Sequence, residues 1–202
     1  LKSLMKVNYS KRIIIVISSP SGAGKTSVCR KLIERNKNIA LSISDTTRPS
    51  RDNEKDGVDY NFIKEEEFEN RIKNKSYIEY ANVFGNFYGS QYKNIINHFK
   101  KGRDILFDID WQGANQLKNS SFKNIVSIFI VPPSKDAIYQ RLKERAIKSG
   151  DDEKAIENRM NKYETEMTHR NDYDHVVINE KLETCVDEIE KIIDNRRKKL
   201  ID

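Results

Sequence analysis

Five short apolar runs punctuate the chain: Ile13–Ile17, Ile39–Ile43, Ile105–Ile109, Val126–Val131 and His175–Ile178. Four are almost unbroken in Val, Ile, Leu and Phe, the pattern of parallel strands covered by helices on both faces. Ile39–Ile43 is weaker, because Ser42 interrupts it. Between the runs the hydrophobic period lengthens to that of a helix. Lys25–Arg35 carries Val28 and Leu32 one turn apart, Ser134–Lys148 carries Ala137, Ile138 and Leu142, and the last segment places Leu182, Val186, Ile189 and Ile193 on one face. Strands alternating with helices predict a three-layer α/β fold around a five-stranded parallel sheet.

Two stretches break the alternation. Residues 44–93 hold the turn-rich Arg48-Pro49-Ser50-Arg51-Asp52-Asn53 and many aromatics, and predict a small inserted β-rich lobe. Residues 137–162 are densely charged around Ser149-Gly150-Asp151-Asp152 and predict a helical hairpin projecting into solvent. The core is then expected to consist of 1–43, 94–136 and 163–202. No internal repeat or low-complexity tract is present.

Composition narrows the function classes. The 202 residues suffice for one substantial core, and the net charge of +6 suits a polyanionic partner: nucleic acid, a membrane surface or nucleotide phosphates. The positive charge is dispersed. Its one dense run, Arg196-Arg197-Lys198-Lys199, reads as a solvated helix end, where cations complement the dipole. Cys29 and Cys185 lie far apart among helical apolar positions and are expected to be buried thiols rather than a disulfide. His169 and His175 have no metal-binding context and are expected to be structural. No run is long enough to span a bilayer, and Leu1–Arg12 lacks the hydrophobic segment of a signal peptide. A cytoplasmic protein is therefore expected, with Met5 a candidate natural start.

The segment Ser18-Ser19-Pro20-Ser21-Gly22-Ala23-Gly24-Lys25-Thr26-Ser27 follows the first strand and opens a helix. It matches the phosphate-loop pattern G-x-x-x-x-G-K-[ST] at Gly24, Lys25 and Thr26, with Ser19 in the place of the first glycine. Gly22 and Gly24 let the backbone curl so that its N–H groups, with the helix N-terminus, form an anion nest. Lys25 then reaches the β- and γ-phosphates of a nucleoside triphosphate, and Thr26 offers a hydroxyl to Mg²⁺. Asp108, ending the strand Ile105-Leu106-Phe107, is the candidate carboxylate for the metal shell.

What receives the phosphate is written in the inserted lobe. Ser42-Ile43-Ser44-Asp45-Thr46-Thr47-Arg48-Pro49-Ser50-Arg51 is followed by Glu54, Gly57 and Asp59-Tyr60-Asn61-Phe62. Tyr77-Ile78-Glu79-Tyr80, Gly85-Asn86-Phe87-Tyr88-Gly89-Ser90 and Asp108-Ile109-Asp110-Trp111-Gln112-Gly113 come after. This ordered set, running from Ser18 to Asn179, resembles the guanylate kinase family of P-loop nucleoside monophosphate kinases. The resemblance implies a P-loop NTPase core, a GMP-binding lobe at 44–93, a lid at 137–162, and Mg²⁺-dependent transfer of the γ-phosphate of ATP to GMP or dGMP. It assigns Ser19, Pro20, Ser21, Gly22, Ala23, Gly24, Lys25, Thr26 and Ser27, with Asn179 near the adenine, to ATP. Arg48, Arg51, Tyr60 and Tyr88 match ligands of the GMP phosphate. Ser44, Glu79, Ser90 and Asp110 match guanine-reading positions. Arg141, Arg145 and Arg159 match lid arginines that act with Lys25, Arg48 and Arg51 on the transferring phosphate. Thr26 and Asp108 would hold the metal. Small-molecule substrates, no nucleic acid or membrane partner, and a monomer or homodimer are expected.

These roles suit the residue types. Arginine forks bind phosphate in two-point fashion, which lysine cannot copy. Guanine presents N1–H and its 2-amino group as adjacent donors, and a carboxylate such as Glu79 accepts from both. Adenine would leave that carboxylate facing an acceptor. The sequence departs from the family at Ser19 and Asn53, each in place of a frequent glycine, and in a lid lacking the common Arg-Gly-Thr start. Two alternatives stand beside this reading: a non-enzymatic module of the same fold, and a related kinase acting on another phosphorylated acceptor.

Overall fold

A computed structural model describes residues 11–52, 54–149 and 152–200. Met5, Asn53, Gly150 and Asp151 lie outside the described residues, as does the side chain of Arg145. In chain order the elements are β1 (Ile14–Ser18), α1 (Lys25–Arg35), β2 (Ile39–Leu41), β3 (Asp45–Thr46), β4 (Asn61–Phe62), α2 (Glu65–Lys73), β5 (Tyr77–Val83) and β6 (Asn86–Gln91). Then follow α3 (Tyr92–Lys100), β7 (Asp104–Asp108), α4 (Trp111–Lys118), β8 (Ile125–Val131), α5 (Lys135–Ser149), α6 (Glu153–Thr168), a 3-10 turn at His169–Asp172, β9 (His175–Ile178) and α7 (Leu182–Lys198).

The five apolar runs form one parallel sheet in the order β2-β7-β1-β8-β9. Alternate residues of β1 serve opposite layers. Ile15 and Ile17 pack with Val28 and Leu32 of α1 and Val186 and Ile189 of α7, whereas Ile14 and Val16 pack with Ile95 and Phe99 of α3 and Leu117 of α4. Each such side chain contributes about 1.5–3 kcal/mol on burial, which is why the run contains no polar residue. The expected strand at Ile39–Ile43 ends at Leu41; Ser42 N–H makes one more bond to Leu106 O at 2.8 Å before the chain leaves this sheet.

It leaves for a four-stranded mixed sheet, order β4-β3-β6-β5, which is the β-rich insertion expected from the sequence. Its hub is Asp45. This fully buried carboxylate accepts from Tyr77 Oη at 2.8 Å, Gln91 Nε2 at 2.7 Å and Asn61 Nδ2 at 2.8 Å, and pairs with Arg71. Four donors offset the desolvation of the charge. The charged stretch forms the helix pair α5–α6, closed on itself by Ile138, Leu142 and Ile156.

Both cysteines are buried and free. One expectation for the C-terminal basic run needs correction. Arg197 is not simply solvated: it donates to Asp104 at 2.6 Å, a carboxylate only 2% exposed that also accepts from Ile13 N–H at 3.0 Å. A carboxylate buried under the sheet requires a cation, and the last helix supplies it. Among the described residues no helix is long and apolar enough to cross a membrane.

Candidate active site

A cleft of about 850 Å³ opens at the carboxyl ends of the central strands, between the two sheets and the α5–α6 pair. In an α/β sheet this is where the strand ends leave space for a ligand.

On one wall the β1–α1 loop turns through Gly22 at φ 86° and Gly24 at φ 89°, a left-handed conformation that side chains resist. Among the described residues only Lys75 and Phe84 take positive φ without being glycine. Ser19 therefore sits where a side chain is tolerated, and the departure from the strict motif leaves the loop shape intact. Lys25 pairs with Asp108 and donates to Ile109 O at 3.1 Å. Burial works against its charge, but the Asp108 carboxylate prevails and holds its pKa above the ordinary lysine value. Thr26 Oγ1 donates to Asp108 Oδ2 at 3.1 Å, so a hydroxyl and a carboxylate meet beside the loop. Register explains the meeting: Ile17 of β1 lies opposite Asp108 of β7.

The opposite wall belongs to the second sheet. Arg48 is nearly buried and clamped in two-point fashion by Glu54, with both N–O distances 2.6 Å. Its Nε donates to Tyr88 Oη at 3.1 Å, and its guanidinium lies 4.9 Å from the Tyr60 ring centre. Burial opposes ionisation of both partners, yet the pairing raises the Arg48 pKa and lowers that of Glu54. Arg51 is the more exposed cation, its backbone N–H bonded to Glu54 Oε2 at 2.9 Å.

Deeper in the cleft lies Glu79, only 3% exposed, with Oε1 unpartnered among the described residues. A β-bulge between Tyr77 and Glu79 turns consecutive side chains of β5 inward, which brings this carboxylate off the solvent face. Burial pushes its pKa up to about 7, with Asp110 adding to the rise. Ser44 Oγ and Ser90 Oγ lie 2.9 Å apart. Asp110 caps α4, accepting from the backbone of Gln112 at 3.1 Å and Gly113 at 3.0 Å.

From the helix pair, Arg141, Arg159 and Glu166 reach the cleft. Arg141 donates to Ala23 O at 3.2 Å and to Asn179 O at 3.0 Å, and Asn179 Nδ2 also donates to Ala23 O at 2.7 Å. Arg141 and Asn179, both lining the cleft, thus brace the phosphate loop through the Ala23 carbonyl.

Most of the residues assigned by resemblance line this one cleft. Ala23 and Ser90 lie just behind its surface, both fully buried. Sequence reasoning gave no site role to Glu54 or Glu166. Glu54 stood within the quoted motif, but its two-point grip on Arg48 depends on how the turn folds. Glu166 carried no local signal at all. His169 stacks on Trp111, ring centres 3.8 Å apart, in keeping with a structural role.

Comparison with known proteins follows the same lines. A family model described as guanylate kinase matches residues 10–196. A guanylate kinase of Rickettsia bellii is 45% identical over 190 residues, covering 94% of this chain and 97% of that protein. One of Agrobacterium fabrum is 43% identical, covering 92% and 83% respectively. The crystal structure of guanylate kinase from Anaplasma phagocytophilum superposes with a TM-score of 0.74 at 38% identity, covering 92% of this chain and 86% of that one.

Proposed function

The chain belongs to the guanylate kinase family, and from that premise we propose how its own residues move the γ-phosphate of ATP onto GMP, giving ADP and GDP. One observation carries the residue assignment. A single cleft holds a phosphate loop on one side and, on the other, clamped arginines beside a buried carboxylate with an unused acceptor.

The triphosphate lies in the Ser19–Ser27 loop, its negative charge met by Lys25 and the inward N–H groups. GMP enters the lobe at 44–93. Arg48, Arg51, Tyr60 and Tyr88 take its phosphate, and Glu79, with Ser44, Ser90 and Asp110 around it, takes the N1–H and 2-amino edge of the base. dGMP presents the same edge and the same phosphate, so the same contacts serve it. An oxygen of the GMP phosphate attacks the γ-phosphorus in line while the bond to the ADP oxygen breaks. The acceptor is already anionic, so no covalent enzyme intermediate is needed. The work of the protein is positioning and charge stabilisation by Lys25, Arg48, Arg51 and the lid arginines Arg141, Arg145 and Arg159. Arg141 acts by bracing the loop, and Arg159 faces the cleft. Closure of the lid at 137–162 over the core excludes water, which would otherwise accept the phosphate.

The paired oxygens of Thr26 and Asp108 are hard donors suited to Mg²⁺. Bound there, Mg²⁺ would offset charge on the β- and γ-oxygens.

The test is stoichiometric. With ATP, Mg²⁺ and GMP the protein should form ADP and GDP in equal amounts. ADP without GDP would show hydrolysis and overturn the reading.

A further inference from the structure

Glu166 of α6 accepts from the backbone N–H of Ser21 in the phosphate loop, with Oε2 at 3.0 Å. The limb that carries this amide is a closed turn, Ala23 N–H donating to Pro20 O at 3.2 Å. Ser21 lies four residues before Lys25, away from the helix N-terminus whose amides suit the inner phosphates of a nucleotide. The neighbours of Glu166 show which way the amide faces. One turn earlier on α6, the Lys162 ammonium lies 4.0 Å from the ring centre of Phe84, in the hairpin of the second sheet. The Ser21 N–H therefore faces the lobe assigned to GMP, the direction in which the terminal phosphate of a donor must point for transfer. A carboxylate oxygen and a phosphate oxygen are the same kind of partner for an amide, each an anionic acceptor at about 2.7–2.9 Å. Both cannot hold one N–H at once.

We propose that Glu166 is a specificity-determining residue for the donor nucleotide: it competes with the γ-phosphate for the Ser21 N–H, so a triphosphate must turn it aside and a diphosphate leaves it in place. The inference rests on the assignment of ATP to the loop. Rotation of one side chain suffices, and Lys162, one turn back on the same helix, is a cation placed to receive the displaced carboxylate. Burial raises the pKa of Glu166 and Asp110 adds to the rise, while the Ser21 amide, Lys162 and Lys25 oppose it. Once the γ-phosphate has moved to GMP, the amide returns to Glu166, and ADP keeps only the contacts to its inner phosphates. The competition thus lowers affinity for the triphosphate and not for the diphosphate, which keeps the donor from being bound too tightly in its ground state.

The experiment is calorimetric. Dissociation constants for the β,γ-methylene analogue of ATP and for ADP are measured with Mg²⁺ in the wild-type chain and in two variants. Glu166→Ala removes the competing charge-assisted hydrogen bond and should tighten the analogue by about tenfold, while ADP changes by less than about twofold. Glu166→Gln keeps an acceptor without the charge and should tighten the analogue by about threefold; it decides the matter where the alanine variant does not fold. A gain in affinity is not what a loosened structure produces, which separates competition from a merely structural role. Weaker or unchanged binding of the analogue in the folded variants, or an equal gain for ADP, would overturn the competition. A wild type that binds neither nucleotide would overturn the assignment of ATP to the loop, and the competition with it.

Discussion

Gly113→Ala separates site geometry from fold stability. Gly113 lies in the first turn of α4, three residues after its cap Asp110. A Cβ at this position would meet Glu79 Oε2 at 2.3 Å and Glu79 Cδ at 3.1 Å. Restoring ordinary contact, at 3.4 Å or more, requires the carboxylate to retreat by about 1 Å. Ser90 stands opposite Glu79 in the sheet and Asp110 adjoins it, so the retreat displaces the carboxylate from the position proposed to meet the guanine edge. Loss of one charge-assisted hydrogen bond is worth about 1.5–3 kcal/mol, which raises the KM for GMP roughly 10- to 100-fold. Alanine is the better helix former by about 1 kcal/mol, so the helix itself is not weakened. Initial rates of ADP formation at varied GMP and saturating ATP, with a thermal melt alongside, give both quantities. The KM for ATP should stay within a factor of about two, because the atoms nearest that Cβ belong to Glu79 and Ile109 rather than to the phosphate loop. An unchanged KM for GMP in a folded variant would refute the claim that Glu79 is held against this helix to read the base.

Lys25→Met keeps the length of the side chain but leaves Asp108 unpaired and the phosphates unneutralised. It should lower kcat by about 10²–10³-fold or more while circular dichroism shows the fold retained, and near-normal turnover would refute the role. Glu79 gives a pH signature. Its pKa in the empty enzyme is about 7, against an ordinary 4.5. Folding therefore favours the protonated form more than the unfolded chain does. Its stability contribution is complete below pH 4.5 and fades as pH rises to 7. Guanine needs the ionised form, so the KM for GMP should fall as pH rises through 7, and Glu79→Gln should raise the KM and flatten that dependence. A KM profile that the substitution leaves unchanged would contradict the assignment.

The core was legible because its signals are local. The run Ile13–Ile17 is apolar at every position since both faces of β1 are buried, and Lys25 and Thr26 follow it at a spacing fixed by the loop itself. Ser19 was legible as harmless only through the glycines that remained, and the structure supplies the reason in its ordinary φ. The second sheet was harder to read. Asp45 stands in a quoted motif with no role of its own, yet it binds partners from α2, β4, β5 and β6, which only the folded lobe brings together. The inward turn of Glu79 depends on a bulge that strict alternation cannot foretell. Contacts across long separations were invisible. Glu166 meets Ser21 from 145 residues away, and Arg197 meets Asp104 from 93. A charge run read along the chain gives no account of which member finds a buried partner.

The most direct measurement is the ratio of kcat/KM among GMP, IMP and AMP, read as ADP formation under one set of conditions. IMP keeps N1–H but lacks the 2-amino group, and AMP lacks both donors. A buried carboxylate reading that edge predicts a fall of about tenfold or more from GMP to IMP, and about 10⁴-fold from GMP to AMP. AMP phosphorylated as readily as GMP would contradict it.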